Sequence, residues 1–177
     1  MSKRSWMLPL CAALTAGTIS ACAPRNTAPD PVFPAALVPP GNPAPFLRAT
    51  GRGVQIYTCQ VTAGTAAWTL KAPQATLTDE GGAPAGSHGA GPSWTATDGS
   101  VVVGTRLASV NSPDAGAIPW LLLSAKPSSS EGLFSRVTYI QRLDTVGGVA
   151  PASGCTAQTA GTETRVNYSA TYLFFRN

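Results

Sequence analysis

Charged side chains are scarce in this chain: Asp, Glu, Lys and Arg make up 11% of its 177 residues, less than half of the roughly 25% found in an average soluble domain. A helical bundle laced with surface ion pairs is not built from such a composition. Histidine occurs once, at His88. Neither Cys59 nor Cys155 has a second Cys or His within zinc-ligand spacing, so no metal is expected. After the first few residues the basic side chains come singly, with no run that would track a phosphate backbone, and nucleic acid is not expected as a partner. A Gly-x-Gly-x-x-Gly opening a helix is also missing, which removes a dinucleotide fold. No cofactor is implied.

What the chain does contain begins with an address. Lys3 and Arg4 carry two of the formal charges behind the net +4, and an uncharged apolar run from Trp6 to Ile19 follows them. That run is too short for a comfortable membrane span and is followed by polar, proline-rich sequence, the layout of a secretion signal. It ends in Ile19-Ser20-Ala21-Cys22, which resembles the lipobox of bacterial lipoproteins at all four positions. The resemblance implies cleavage after residue 21 and lipidation of Cys22, so the membrane is an expected partner through an N-terminal lipid anchor. The expected location is the cell envelope. Ala23, rather than an aspartate, favours the outer membrane in a Gram-negative cell.

With Cys11 lost in the signal and Cys22 acylated, Cys59 and Cys155 remain as one pair. An exported compartment permits a disulfide between them. Between residues 23 and 47 stand eight of the sixteen prolines, which excludes helix and central strand and predicts a tether over 22–47. Phe33, Leu37, Val38 and Phe46 are unusual for a pure spacer and suggest docking on the domain that follows.

From residue 48 onward the pattern changes to short apolar runs rich in β-branched and aromatic residues, closed by Gly, Pro, Asn, Asp or Ser. Strands are predicted at 53–61, 66–71, 74–79, 93–97, 100–107, 118–125, 134–143 and 164–175. The clearest alternation sets Val137, Tyr139, Gln141 and Leu143 against Arg136, Thr138, Ile140 and Arg142, with Ile140 out of place in the polar set. Eight short strands imply a single all-β domain, an antiparallel sandwich or barrel. Trp68, Trp94 and Trp120, each in an apolar run, are expected in its core, as are Tyr168, Tyr172, Phe174 and Phe175. Residues 79–92, with five glycines and two prolines, read as a long loop.

Several blocks from Gly53 onward resemble a family of uncharacterised secreted bacterial and fungal proteins, the DUF3455 domain family. They are Gly53-Val54-Gln55-Ile56-Tyr57-x-Cys59, Trp68-x-Leu70-x-Ala72-Pro73, His88-x-x-Gly91-Pro92-x-Trp94, Asp98-Gly99-Ser100 and Ile118-Pro119-Trp120-Leu121-Leu122. Val137-Thr138-x-Ile140-Gln141-Arg142, Gly147-Gly148-x-Ala150-Pro151, Cys155 and Tyr168-Ser169-Ala170-x-Tyr172 complete the series. The resemblance implies kinship and no chemistry.

The residues themselves point to one place for a ligand. The 79–98 segment gathers the sole histidine, the carboxylates Asp79, Glu80 and Asp98, and Trp94, so a binding site is expected beside His88, Trp94 and Asp98. With no Gly-x-Ser-x-Gly elbow for a hydrolase, no catalytic residue is assigned. The leading reading is a non-enzymatic module for a small molecule, a polymer or an envelope protein. An envelope hydrolase or metal-dependent enzyme centred on the 79–98 loop is the alternative.

Overall fold

A computed structural model describes residues 33–176; Cys22 and the signal segment lie outside them. Eight strands run in chain order around one closed antiparallel barrel: β1 (Pro45–Thr62), β2 (Thr65–Asp79), β3 (Pro84–Gly89), β4 (Ser93–Ala96), β5 (Val101–Val110), β6 (Trp120–Pro127), β7 (Val137–Gly147) and β8 (Glu163–Arg176). Sequential neighbours pair, and β1 closes the ring on β8 with Gly51 opposite Ala170. The choice between sandwich and barrel is settled by that last pairing. Closure also leaves no continuous free edge, the usual hazard of an antiparallel sheet.

The strand count agrees with the sequence reading, but the first strand, expected at 53–61, begins at Pro45 inside the expected tether, at the barrel end where a proline as first residue needs no ladder donor, and two other assignments changed in opposite directions. The expected strands 66–71 and 74–79 are one strand, β2, running through Pro73, whose missing N–H costs nothing because this part of β2 pairs with β1 alone. Conversely, residues 79–92 are not a loop. Asp79 folds a tight turn by accepting the Gly82 N–H at its carbonyl and the Ala83 N–H at Oδ1, after which β3 pairs with β2 and β4. Small residues with few apolar neighbours hid this strand from periodicity.

The barrel interior is filled, not hollow. Trp94, Phe134, Ile140, Tyr172 and Phe174 are each no more than 1% exposed, and glycines make the room. A Cβ at Gly51 would stand 2.6 Å from the Tyr172 ring, and one at Gly104 would stand 2.9 Å from that of Trp94. A second cluster lies outside the wall, where Leu37 of the 3-10 turn Ala35–Leu37 covers Leu122, Leu143, Leu173 and Phe175. The carbonyl of Leu37 accepts a hydrogen bond from Gln141 Nε2. Phe33 packs there too, and Phe46 and Leu47 in β1 pack on the inner core. Strand β7 is therefore buried on both faces. Its inward residues are Val137 and then, after a register shift between Val137 and Tyr139, Ile140 and Arg142.

The lower end, where β4 turns into β5, is sealed by a polar knot under Phe134. Asp98 Oδ1 accepts the Ser100 N–H at 2.9 Å and its hydroxyl at 2.6 Å, while Oδ2 accepts the Leu133 N–H at 2.7 Å. Ser100 Oγ then accepts the N–H of Phe134, the 0%-exposed plug of the barrel. Gly132 holds φ near +99° there, and a Cβ would stand 2.6 Å from Ser100.

At the upper end the β1–β2 hairpin overshoots the ring. Cys59 is joined to Cys155 across 96 residues, and Trp68 Nε1 donates to the Ser153 carbonyl. Trp68 is half-buried against this loop and not in the core. Trp94 is in the interior cluster, and Trp120 is partly buried in the outer one.

Candidate functional site

Hairpin β3–β4 is the shortest in the barrel, and its shortness opens the wall. β3 reaches along β2 only as far as Ala75, opposite His88, and β4 pairs with β5 only at Val101–Val103. Beyond those points β2 and β5 face one another without an intervening strand. Between them lies a cleft of about 530 Å³ with Pro92 of the β3–β4 turn at its base, Leu70 and Pro73 on one wall, Arg106 and Ser109 on the other, and Ile118 and Leu121 behind. That volume falls within the range of small-molecule sites.

The polar groups in this cleft come from deep in the ring. Gln55 and Tyr57 reach it from β1, His88 from β3 and Arg142 from β7. Tyr57 donates its hydroxyl hydrogen to the Gly148 carbonyl at 2.6 Å. His88 stacks on Trp94 with ring centroids 4.3 Å apart and 10° between planes, and meets Tyr172 edge-on. Its Nδ1 lies 2.8 Å from the Ser93 carbonyl. A carbonyl can only accept, so Nδ1 carries the proton and Nε2 is the free acceptor. Burial, only partly offset by the Ser93 carbonyl, lowers the imidazole pKa to about 4, and His88 is neutral in ordinary conditions.

Arg142 is half-buried, and two of its nitrogens, Nε and Nη2, donate to the Pro119 carbonyl at 3.1 and 2.8 Å. The charges and dipoles around it are tyrosines 57, 168 and 172; among the described residues no carboxylate pairs with it. Burial lowers its pKa and raises those of Tyr168 and Tyr172, Tyr172 the more strongly. Gln55, 2% exposed, has its Nε2 buried without an acceptor among the described residues. The cleft thus holds two donors that lack a full set of acceptors, Gln55 Nε2 and the Arg142 guanidinium, beside the acceptor His88 Nε2.

Of the three residues expected to form a site, the structure brings together His88 and Trp94 and leaves Asp98 out. Asp98 belongs to the knot at the sealed end, its carboxyl held below the usual range first by the Ser100 hydroxyl and then by backbone N–H groups. Trp94 is a stacking partner within the core, 1% exposed, and does not line the cleft. The other two carboxylates of the 79–98 segment are also occupied, Asp79 in its turn and Glu80 near Arg48 at 3.7 Å. Among the described residues no three His, Cys, Asp or Glu side chains cluster for a metal.

Gln55, Tyr57 and Arg142 were not singled out by sequence reasoning. The available signal was Ile140, which marked its own face of β7 as the inward one and so put Arg142 inside.

A family model described as a protein of unknown function, DUF3455, matches residues 39–176. Neither the curated proteins nor the solved structures contain a match to this chain.

Proposed function

The chain belongs to the DUF3455 family, and since that description carries no activity, we propose, from the lipobox in its sequence and the geometry of its barrel, that it is an exported, lipid-anchored protein that binds a small ligand in the β2–β5 cleft without transforming it. One observation carries the binding reading. The gap between β2 and β5 opens onto a buried amide nitrogen, Gln55 Nε2, that has no acceptor among the described residues. Buried polar atoms cost free energy unless paired, and a bound molecule is the partner this place can receive.

The hydrolase alternative loses ground because the carboxylates it would draw on are committed elsewhere, and because His88 has its Nδ1 proton on a backbone carbonyl instead of a carboxylate that would raise its basicity. Envelope anchoring is supported by the lipobox at Cys22, in the sequence before the described residues.

Two experiments test the reading. A thermal-shift screen of small molecules should yield compounds that raise the melting temperature of the wild type but not of Ala72→Trp, which fills the cleft from its β2 wall. Compounds that stabilise both equally, or no active compound at all, would count against the cleft. Cell fractionation should find the protein in the membrane and the Cys22→Ser form unprocessed or soluble; an intact mass showing an unacylated Cys22 would overturn the anchor.

A further inference from the structure

Arg142 separates this cleft from a merely apolar one. A guanidinium taken partly out of water is destabilising unless an anion or a full set of acceptors offsets the lost hydration. Here the acceptors are one carbonyl, of Pro119, and neutral tyrosine hydroxyls. Lys71, at the rim, is engaged by Glu163 at 2.5 Å, so its charge is compensated within the chain. Arg106 stands exposed on the opposite wall and adds positive potential without being buried.

We propose that the cleft takes an organic monocarboxylate with an apolar body, its carboxylate beside the Arg142 guanidinium and Gln55, and its body against Leu70, Pro73 and Leu121. This rests on the cleft-binding reading and gives it a ligand class. The charge count selects a monoanion. One half-buried cation balances one negative charge, whereas the second charge of a phosphate dianion would find only Arg106, exposed and screened by water, with His88 neutral beside it. A planar carboxylate also suits a guanidinium, whose parallel N–H groups grip two oxygens at once.

The test titrates the full chain calorimetrically with decanoate, decanol and decyl phosphate. Decanoate should bind at least about tenfold more tightly than decanol and no more weakly than decyl phosphate. Arg142→Gln should erase the preference over decanol while decanol still binds. Arg142→Lys, which keeps the charge and loses the fork, should retain part of it, and Gln55→Leu should reduce it. Should Arg142→Gln fail to fold, the wild-type ranking and the Gln55 variant still decide. Equal binding of decanoate and decanol, both lost in Ala72→Trp, would overturn the carboxylate and leave the cleft standing. Tighter binding of decyl phosphate would overturn the monoanion. Binding of none of the three, or binding that survives Ala72→Trp, would overturn the cleft itself.

Discussion

The two ends of this barrel are made from the same strands and behave as opposites. At the sealed end the polar groups of the knot are paired: Asp98 takes two backbone N–H groups and a hydroxyl, Ser100 passes the chain of bonds to Phe134, and the aromatic plug stacks on Phe174 at 4.7 Å. At the open end Gln55 Nε2 and the guanidinium of Arg142 are left with too few acceptors, and the wall is interrupted. A domain stabilises itself at one end and can then tolerate unsatisfied groups at the other, which is where a ligand gains most by arriving. The open end is also where the covalent cross-link lies, as if packing there were not enough.

The largest effect expected from breaking this contrast is on that cross-link. Cys155→Ser should lower stability by about 4–5 kcal/mol, the loop-entropy figure for a span of this length, read as a drop in the urea midpoint relative to the oxidised wild type. A drop under about 1 kcal/mol would mean that the hairpin and the 148–162 loop hold together by packing alone. At the sealed end Phe134→Ala should cost about 3–5 kcal/mol while the folded fraction keeps its affinity for a cleft ligand. Loss of affinity in fully folded protein would show that the ends are coupled.

The next effect is on pH. His88 is buried neutral with a pKa of about 4 in the folded state against 6.5 when unfolded, so below pH 6.5 the unfolded chain takes up a proton that the folded one refuses. Its contribution is complete above pH 6.5 and is lost as pH falls toward 4, to a total of roughly 3 kcal/mol. His88→Gln should flatten the stability profile across that window, and parallel profiles for variant and wild type would refute the assignment. The smallest effect belongs to the rim. Lys71→Ala breaks an exposed ion pair with Glu163 and should change stability by less than about 1 kcal/mol, whereas a larger loss would make that pair part of the frame.

How much of this was legible in the sequence differs between the same two ends. β-branched runs and turn residues marked the strands, and Asp98-Gly99-Ser100 was readable as a tight turn; Gly99 holds φ near +84° there. The role of Asp98 was not readable, because its second oxygen is spent on Leu133, 35 residues away. A pairing of that separation leaves no local pattern. The cleft was less legible still, since it arises from a strand that stops early and not from a motif. β3 lacked an apolar signature because its inward residues are Ala85 and His88. The outer cluster misled in another way: Tyr139, Gln141 and Leu143 formed the more apolar face of β7, yet that face looks outward and is covered by residues from the expected tether.

The closing pair of strands has a consequence for how such a chain comes into being. β1, pairing with β8 from Pro45–Phe175 to Thr58–Glu163, is the first strand of the barrel to emerge in synthesis, and its partner is the last. Until then its outer edge is an unpaired template, open to strands of other chains. The ring cannot close from a partial length, so its assembly waits on the whole domain and proceeds at the slow pace of distant β pairings.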